Sequence, residues 1–386
     1  MNIDKDIIAK WATDPKGPVA LHLKQTLTSV ECIDPKKDHC IIYPPTYADI
    51  GYNIDELRDG TKVALVDSVG SQANRMEPFF ISSETDQSKW LVPQITIKIN
   101  DNTTLSLLEL AHRGADAVVR SSGELATKID DAFQNLKKTG DASDLCAIAP
   151  TSLLFGVWDS RGSHEKLPRL VRSIIRAWDV DELHSAAQFN SVWKELDDEY
   201  RDQLDKEAKN QGVKLSVKGF ADAPGVFRDT KVAQIRDGGF NPEARVLGGV
   251  LVKGEIIRDI TINLVALRGI TAGTEEKNTE LRKYLLGLAL VAATAEIDLF
   301  LREGCNLRFT GEEKWHEVPR RGEPKEIDLH SEAAIKAIAE FAEESAKPFR
   351  PRWTEAIGET MEFKFDLKLA KELLKKKTED DQPASG

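Results

Sequence analysis

The chain has 386 residues, 41% of them hydrophobic and 30% charged, with a formal net charge of −11 at pH 7. That length leaves room for a large core and excludes wholesale disorder. The acidic sum argues against non-specific coating of DNA, yet it permits a local basic groove on an acidic body. The longest apolar run, Leu285–Ala295, is too short to cross a bilayer and is flanked by Arg282, Lys283 and Glu296. The first residues, MNIDKDIIAK, lack the basic start and apolar stretch of a signal peptide, so the cytoplasm is the expected compartment. Four cysteines, at 32, 40, 146 and 305, form no CxxC and no zinc spacing. Reduced structural thiols are therefore expected, and no metal or other cofactor.

In chain order, Val19–Val30 predicts a first strand and Thr61–Val66 a second. Asp67-Ser68 then caps a polar helix carrying Gln72, Asn74, Arg75 and Glu77, which Pro78 ends. Gln94–Ile99 alternates as a partly exposed strand. Leu105–Ser121 and Glu124–Lys138 read as helices broken by Ser122-Gly123. Glu195–Glu207, with seven acidic and two basic residues, reads as a solvated helix on an insertion. Ala244–Ile270 holds two β-rich runs, Glu280–Glu303 the longest helix, and His330–Ala346 a second amphipathic helix. The closing residues KKKTEDDQPASG form a polar tail. Strands and helices alternate without an even βαβ cadence, which favours an α+β fold with a mixed or antiparallel sheet.

The usual anchors of enzymes are missing. The junction LVDSVGSQANR lacks the GxxxxGK[ST] phosphate loop, and no GxGxxG, GxSxG or HExxH occurs. His112 and Asp116 stand four apart on an expected helix, but two ligands do not make a metal site. His164 has no identifiable catalytic partner. Asp67 reads as a general base or, more simply, as part of a helix cap.

Basic residues carry more information. Between Ser160 and Trp178 stand Arg161, Lys166, Arg169, Arg172 and Arg176 against one acid, Glu165. Trp158 and Trp178 flank them and either stack bases or fill core. LVRSIIRAW reads equally as strand or helix, and in both Arg172 and Arg176 share a face. Two readings stand level: a phosphate-binding face, or a charged surface that balances acids such as those of Glu195–Glu207. Guanidinium forks match phosphate oxygens without reading bases. Ser68, Ser71, Gln72 and Asn74 add neutral donors beside Arg75. Gly248-Gly249 marks a bulge or a close approach of backbone, nucleic acid or a neighbouring subunit.

Several segments together resemble a known family. DSVGSQANRMEPFF (67–80) is similar to the signature of the CRISPR-associated RAMP backbone subunit of subtype I-G (formerly I-U) effector complexes. YPPTYADIGY (43–52), HRGADAVVRSS (112–122), TSLLFGVWDSRG (151–162) and PRLVRSIIRAWDV (168–180) extend the resemblance. It implies a ferredoxin-like, RRM-type sheet in one domain over residues 18–370. Helical insertions are expected at about 101–145 and 181–240, and a disordered tail at 371–386.

It also implies a non-catalytic subunit whose copies line one CRISPR RNA. The guide pairs with target DNA beside large and RNA-processing subunits, with no membrane involved. No cofactor follows. The RNA contacts expected from residues and resemblance together are Ser68, Ser71, Gln72, Asn74 and Arg75, then Arg113. Arg161, Lys166, Arg169, Arg172 and Arg176 complete the set with Gly248 and Gly249. No RNP-like aromatic motif is present, so the sugar-phosphate backbone is the expected target. The rivals are a metal-dependent RNase of the RAMP superfamily using Asp67, His112 and Asp116, and a protein-interaction scaffold without RNA.

Overall fold

A computed structural model describes residues 3–34, 39–48, 50–184, 192–215, 218–220 and 247–375. Its centre is an eight-stranded sheet. The strands are β1 (Ala20–Ser29), β2 (Ile54–Glu56), β3 (Lys62–Asp67), β4 (Val171–Trp178), β5 (Ile256–Asn263), β6 (Leu299–Arg302), β7 (Cys305–Val318) and β8 (Lys325–Ile327). Their order is β6-β7-β1-β5-β4-β3-β2, with β8 added to β7, and neighbouring strands run antiparallel. The protein is thus mixed α and β, on a curled antiparallel sheet. Curling brings its far sides together: Arg75, just after β3, donates from Nη2 to the carbonyl of Leu301 on β6 at 3.0 Å.

Alternation makes this sheet two-faced. In β1, Leu21, Leu23, Gln25 and Leu27 are buried, while His22, Lys24 and Thr26 point the other way. Ile256, Arg258, Ile260 and Ile262 of β5 share the buried face, as do Val171, Ser173, Ile175 and Ala177 of β4. Apolar side chains here join one core with the helices. Those helices are α1 (Val69–Met76), α2 (Gly123–Thr139), α3 (Pro150–Phe155), α5 (Glu275–Thr294) and α6 (Glu332–Ala346), with α4 (Asp198–Asn210) among the acidic residues. α4 buries only Ala208, as expected of a solvated helix.

Helix α5 is buried around most of its circumference, from Leu281 through Ala293. Thr274 caps its start by accepting from the Lys277 amide. Gly287 lets α6 approach: a Cβ there would lie 2.9 Å from the Ala342 Cα.

Some expected elements differ. Residues 105–121 are not one α-helix: after a strand at Thr103–Ser106 come 3-10 turns at Leu107–Glu109, Arg113–Ala115 and Val119–Ser121. Local side-chain bonds win over the helix. Ser106 and Glu109 close a capping box, and Asp116 accepts from the amides of Val118 and His112 at 2.9 and 3.2 Å. His112 and Asp116 therefore do not share a helical face.

The long helix runs over Glu275–Thr294 rather than to Glu303, because Leu299 and Leu301 alternate inward as β6. The second β-rich run stops at Asn263, whose side chain accepts from the Ala266 amide and opens a helical turn over Leu264–Gly269. LVRSIIRAW is a strand. Nearly half of the expected 181–240 insertion and most of the polar tail lie outside the described residues, although Lys371–Leu373 complete a helix begun at Leu367.

Gly287→Val should overfill the α5–α6 contact and destabilise the fold by about 1–3 kcal/mol. Thermal denaturation checks this, and an unchanged melting temperature would contradict the packing described.

Candidate nucleic-acid interface

The SQANR segment folds as α1 against the buried face of β4. Ser68 caps it, accepting from the Ser71 amide at 3.2 Å. Asp67 and Gln72 turn inward. The Gln72 amide nitrogen donates to Asp67 Oδ2 at 2.6 Å, and its oxygen accepts from Ser173 Oγ at 2.7 Å and Arg258 Nε at 2.9 Å. Arg258 also donates to Gln25 Oε1 at 3.1 Å, so one polar network joins β1, β5, β4 and α1. Burial lowers the Arg258 guanidinium to about 10, against the opposing pull of Glu313 and Asp67.

This corrects one expected contact. Gln72 is fully buried, with both ends of its amide engaged, and is not available to RNA. Ser68, Ser71, Asn74 and Arg75 keep surface, although Arg75 is tied to Asp67 at 3.2 Å and Asn74 accepts from Arg113 at 3.2 Å.

Arg113 is a second correction. It is 5% exposed, 2.8 Å from Glu77 Oε2, donates to the Gly156 carbonyl and lies over the Phe155 ring. It holds the 3-10 segment to α1 and α3, which leaves nothing of its fork for a ligand. Burial pushes the Glu77 carboxyl up to about 7, against the pull of Arg113.

Gly248 and Gly249 are the third. Both are buried in the strand Leu247–Val252, where the register to Val180–His184 shifts. Gly249 has φ +101°, and a Cβ on it would lie 2.9 Å from Ile41 Cγ2. The bulge serves packing against Ile41 and Tyr43.

The WDSRG loop winds around a buried acid. Asp159 accepts from the amide and hydroxyl of Ser163 at 2.6 and 2.9 Å and pairs with the buried Arg120. Arg161 is thereby turned into a groove of about 1030 Å3 that is also lined by Asp130, Gln134 and His164. Lys166 lies over the half-exposed Trp158, with its ammonium 5.7 Å from the ring centroid. Arg169 is exposed.

Arg172 and Arg176 project from the other face of β4, away from α1, so the expected contacts are divided between two faces. Register shows what joins these arginines. Arg172 lies opposite Thr261, Thr261 opposite His22, and His22 opposite His316. One pleat on, Ile174 faces Asp259, Asp259 faces Lys24, and Lys24 faces Lys314.

Among the described residues, Lys24, Arg172, Arg176 and Lys314 thus share this face with the acid Asp259, and with Glu326 at its β8 margin. Among the described residues, the four cations have no hydrogen bond or ion pair. Trp178, 39% exposed, ends the same row. Ile174 and Ile257 are buried here apart from the main core. The alternation of LHLKQT already put His22 and Lys24 on one face, but only the strand order places Lys314 beside them.

The residues named for metal chemistry are scattered. Asp67 is buried under Gln72 and Arg75, whereas Asp116 serves its own turn. Among the described residues, no three His, Cys, Asp or Glu side chains stand together as a metal-binding group. No described helix is long and apolar enough to cross a membrane.

Arg113→Ala should destabilise the protein by about 3–5 kcal/mol at pH 8, where Glu77 must be buried as an unpaired anion. Because the folded Glu77 holds its proton up to about 7, above the ordinary carboxylate range, the loss should shrink towards pH 5. Chemical denaturation at both pH values checks this, and a pH-independent loss would contradict it.

No curated protein matches the chain. Residues 30–182, less than half of the chain, match the family model of CRISPR-associated protein GSU0053. The matched span runs from the end of β1 through α1 and the whole of β4, and it indicates a family of CRISPR-associated proteins.

Proposed function

We propose that the protein is a non-catalytic backbone subunit that holds a CRISPR RNA by its sugar-phosphate chain. The observation that carries this reading is the outer face of β4, β5, β1 and β7, where Arg172, Arg176, Lys24 and Lys314 stand without partners among the described residues. Four such cations on a chain of −11 form a local field that attracts polyanions. They read no bases, which suits a guide of any sequence. The family match supplies the CRISPR context.

The finer identity rests on resemblance as well. Strands β1, β4, β5 and β7 in the order β7-β1-β5-β4, with helices between β1 and β4 and α5 between β5 and β7, suit a ferredoxin-like core of the RAMP type. In this reading β2, β3, β6 and β8 extend that core within one domain carrying insertions. The subunit belongs to a type I-G effector complex of the cytoplasm. Several copies follow one guide beside large and RNA-processing subunits, and the guide pairs with target DNA. Arg161, Lys166 and Arg169, and the surface donors Ser68, Ser71, Asn74 and Arg75, would extend the path beyond the sheet face or onto a neighbouring copy. The subunit uses no cofactor.

Single-stranded RNA releases counterions in proportion to the phosphates neutralised, with a slope of about −0.7 per phosphate. Four contacts give a log affinity against log salt slope of about −3. Arg172→Ala with Arg176→Ala should reduce it to about −1.5, with the same loss for unrelated guides. Each lost contact should weaken binding by about 1.5–3 kcal/mol. Fluorescence titrations across a salt series check this. An unchanged slope, or a loss confined to one guide, would contradict it, and nucleic-acid-free oligomers on co-expression with guide would favour a protein scaffold instead.

A further inference from the structure

The acid on the cationic face has its own surroundings. Asp259 lies on β5 opposite Ile174, midway along β4 between Arg172 and Arg176, and opposite Lys24 on β1. Its Oδ1 is 3.4 Å from His22 Nε2, and His22 Nδ1 is 3.1 Å from Thr261 Oγ1. A coherent set of protons follows. In the tautomer whose Nε2 carries the proton, that proton faces Asp259 and Nδ1 accepts from the Thr261 hydroxyl. Asp259 and His22 keep side-chain exposures of 29% and 34%. The second carboxylate oxygen, Oδ2, has no hydrogen-bond partner among the described residues.

A carboxylate amid phosphate-binding cations weakens the binding of phosphate unless it accepts a proton from the same ligand. Lysine and arginine only donate, so the four cations offer nothing to a hydroxyl donor. A ribose carries one such donor, the 2′-hydroxyl, and deoxyribose carries none. Arg172 and Arg176 are about 13 Å apart along the strand, and the acid sits beside the midpoint of that span. Two nucleotides span about that distance, so a strand whose phosphates reach both arginines carries a sugar past Asp259 on either side of the phosphate between them.

We propose that Asp259, oriented by His22 and Thr261, is a ribose subsite that accepts a 2′-hydroxyl and makes the sheet face selective for RNA over DNA. This rests on the nucleic-acid reading above and adds a specificity residue to it. Oδ2 is the acceptor. His22 holds Oδ1, and Thr261 holds the imidazole. DNA meets the same carboxylate as an uncompensated negative charge.

The test uses the full-length protein and a labelled single strand of about 12 nucleotides, within the usual range of single-strand sites. One sequence is made as RNA, as DNA and as 2′-fluoro RNA, which lacks the hydroxyl donor. RNA should bind on the order of tenfold more tightly than the other two. Asp259→Ala should bring the three affinities together by weakening RNA and strengthening DNA, and Asp259→Asn, which keeps the shape and one acceptor, should do so in part. Melting temperatures report whether each variant folds. Equal affinities in the wild type, 2′-fluoro RNA binding as RNA does, or a preference that survives Asp259→Ala would each overturn the proposal. Wild-type protein that binds none of the three strands would overturn the nucleic-acid reading itself, a separate result.

Discussion

Alternation along extended strands is the constraint on which the rest depends. A strand turns successive side chains to opposite faces, so each residue of β1, β4 and β5 is either in the core or outside it. Leu21, Leu23, Ile260, Ile262, Val171 and Ile175 meet the helices. The intervening His22, Lys24, Asp259, Thr261, Arg172 and Arg176 have no such partner and remain on the opposite face. Antiparallel register then aligns residues nearly three hundred positions apart, Lys24 beside Lys314 among them. No loop has to fold over to build the cationic surface, because the pleat of the sheet builds it.

The inner face is not wholly apolar, and the exceptions explain the most distinctive motif. Arg258 stands where leucine or isoleucine would be expected, and Gln25, Ser173 and Gln72 surround it with acceptors and donors. A buried guanidinium without such partners would carry a penalty of several kcal/mol. The SQANR segment is therefore read best as a structural clasp. Gln72 and Asp67 secure the start of α1 to the sheet, and Arg75 bridges to β6 where the sheet curls round. Arg113 with Glu77, and Arg120 with Asp159, play the same part between the helical segments and the WDSRG loop.

Much of this was legible in the residues. Runs of β-branched and apolar residues located β1, β3 and β5, Asp67-Ser68 located the start of α1, and the basic excess at 161–176 contained the two arginines of the outer face. Other features were not legible, for physical reasons. A polar residue in a motif is as readily buried with partners as displayed, so Gln72 and Arg113 passed for ligand contacts. Ser106, Glu109 and Asp116 bond to their own backbone and dismantle a helix whose apolar spacing is otherwise sound. Gly248-Gly249 accommodates Ile41 and Tyr43, which no linear reading could bring near. The division of the basic stretch between a groove at Arg161 and the open face at Arg172 and Arg176 depends on where the hairpin Val157–Leu167 ends and β4 begins.

Photocrosslinking of 4-thiouridine-substituted guide RNA to the assembled protein, with the attached peptides identified by mass spectrometry, tests the central claim most directly. The expected crosslinks fall in the peptides of β1, β4, β5 and β7 that carry Lys24, Arg172, Asp259 and Lys314, whatever the guide sequence. Crosslinks confined to the helical side, at α2, α5 or α6, would contradict the assignment of the outer sheet face to RNA.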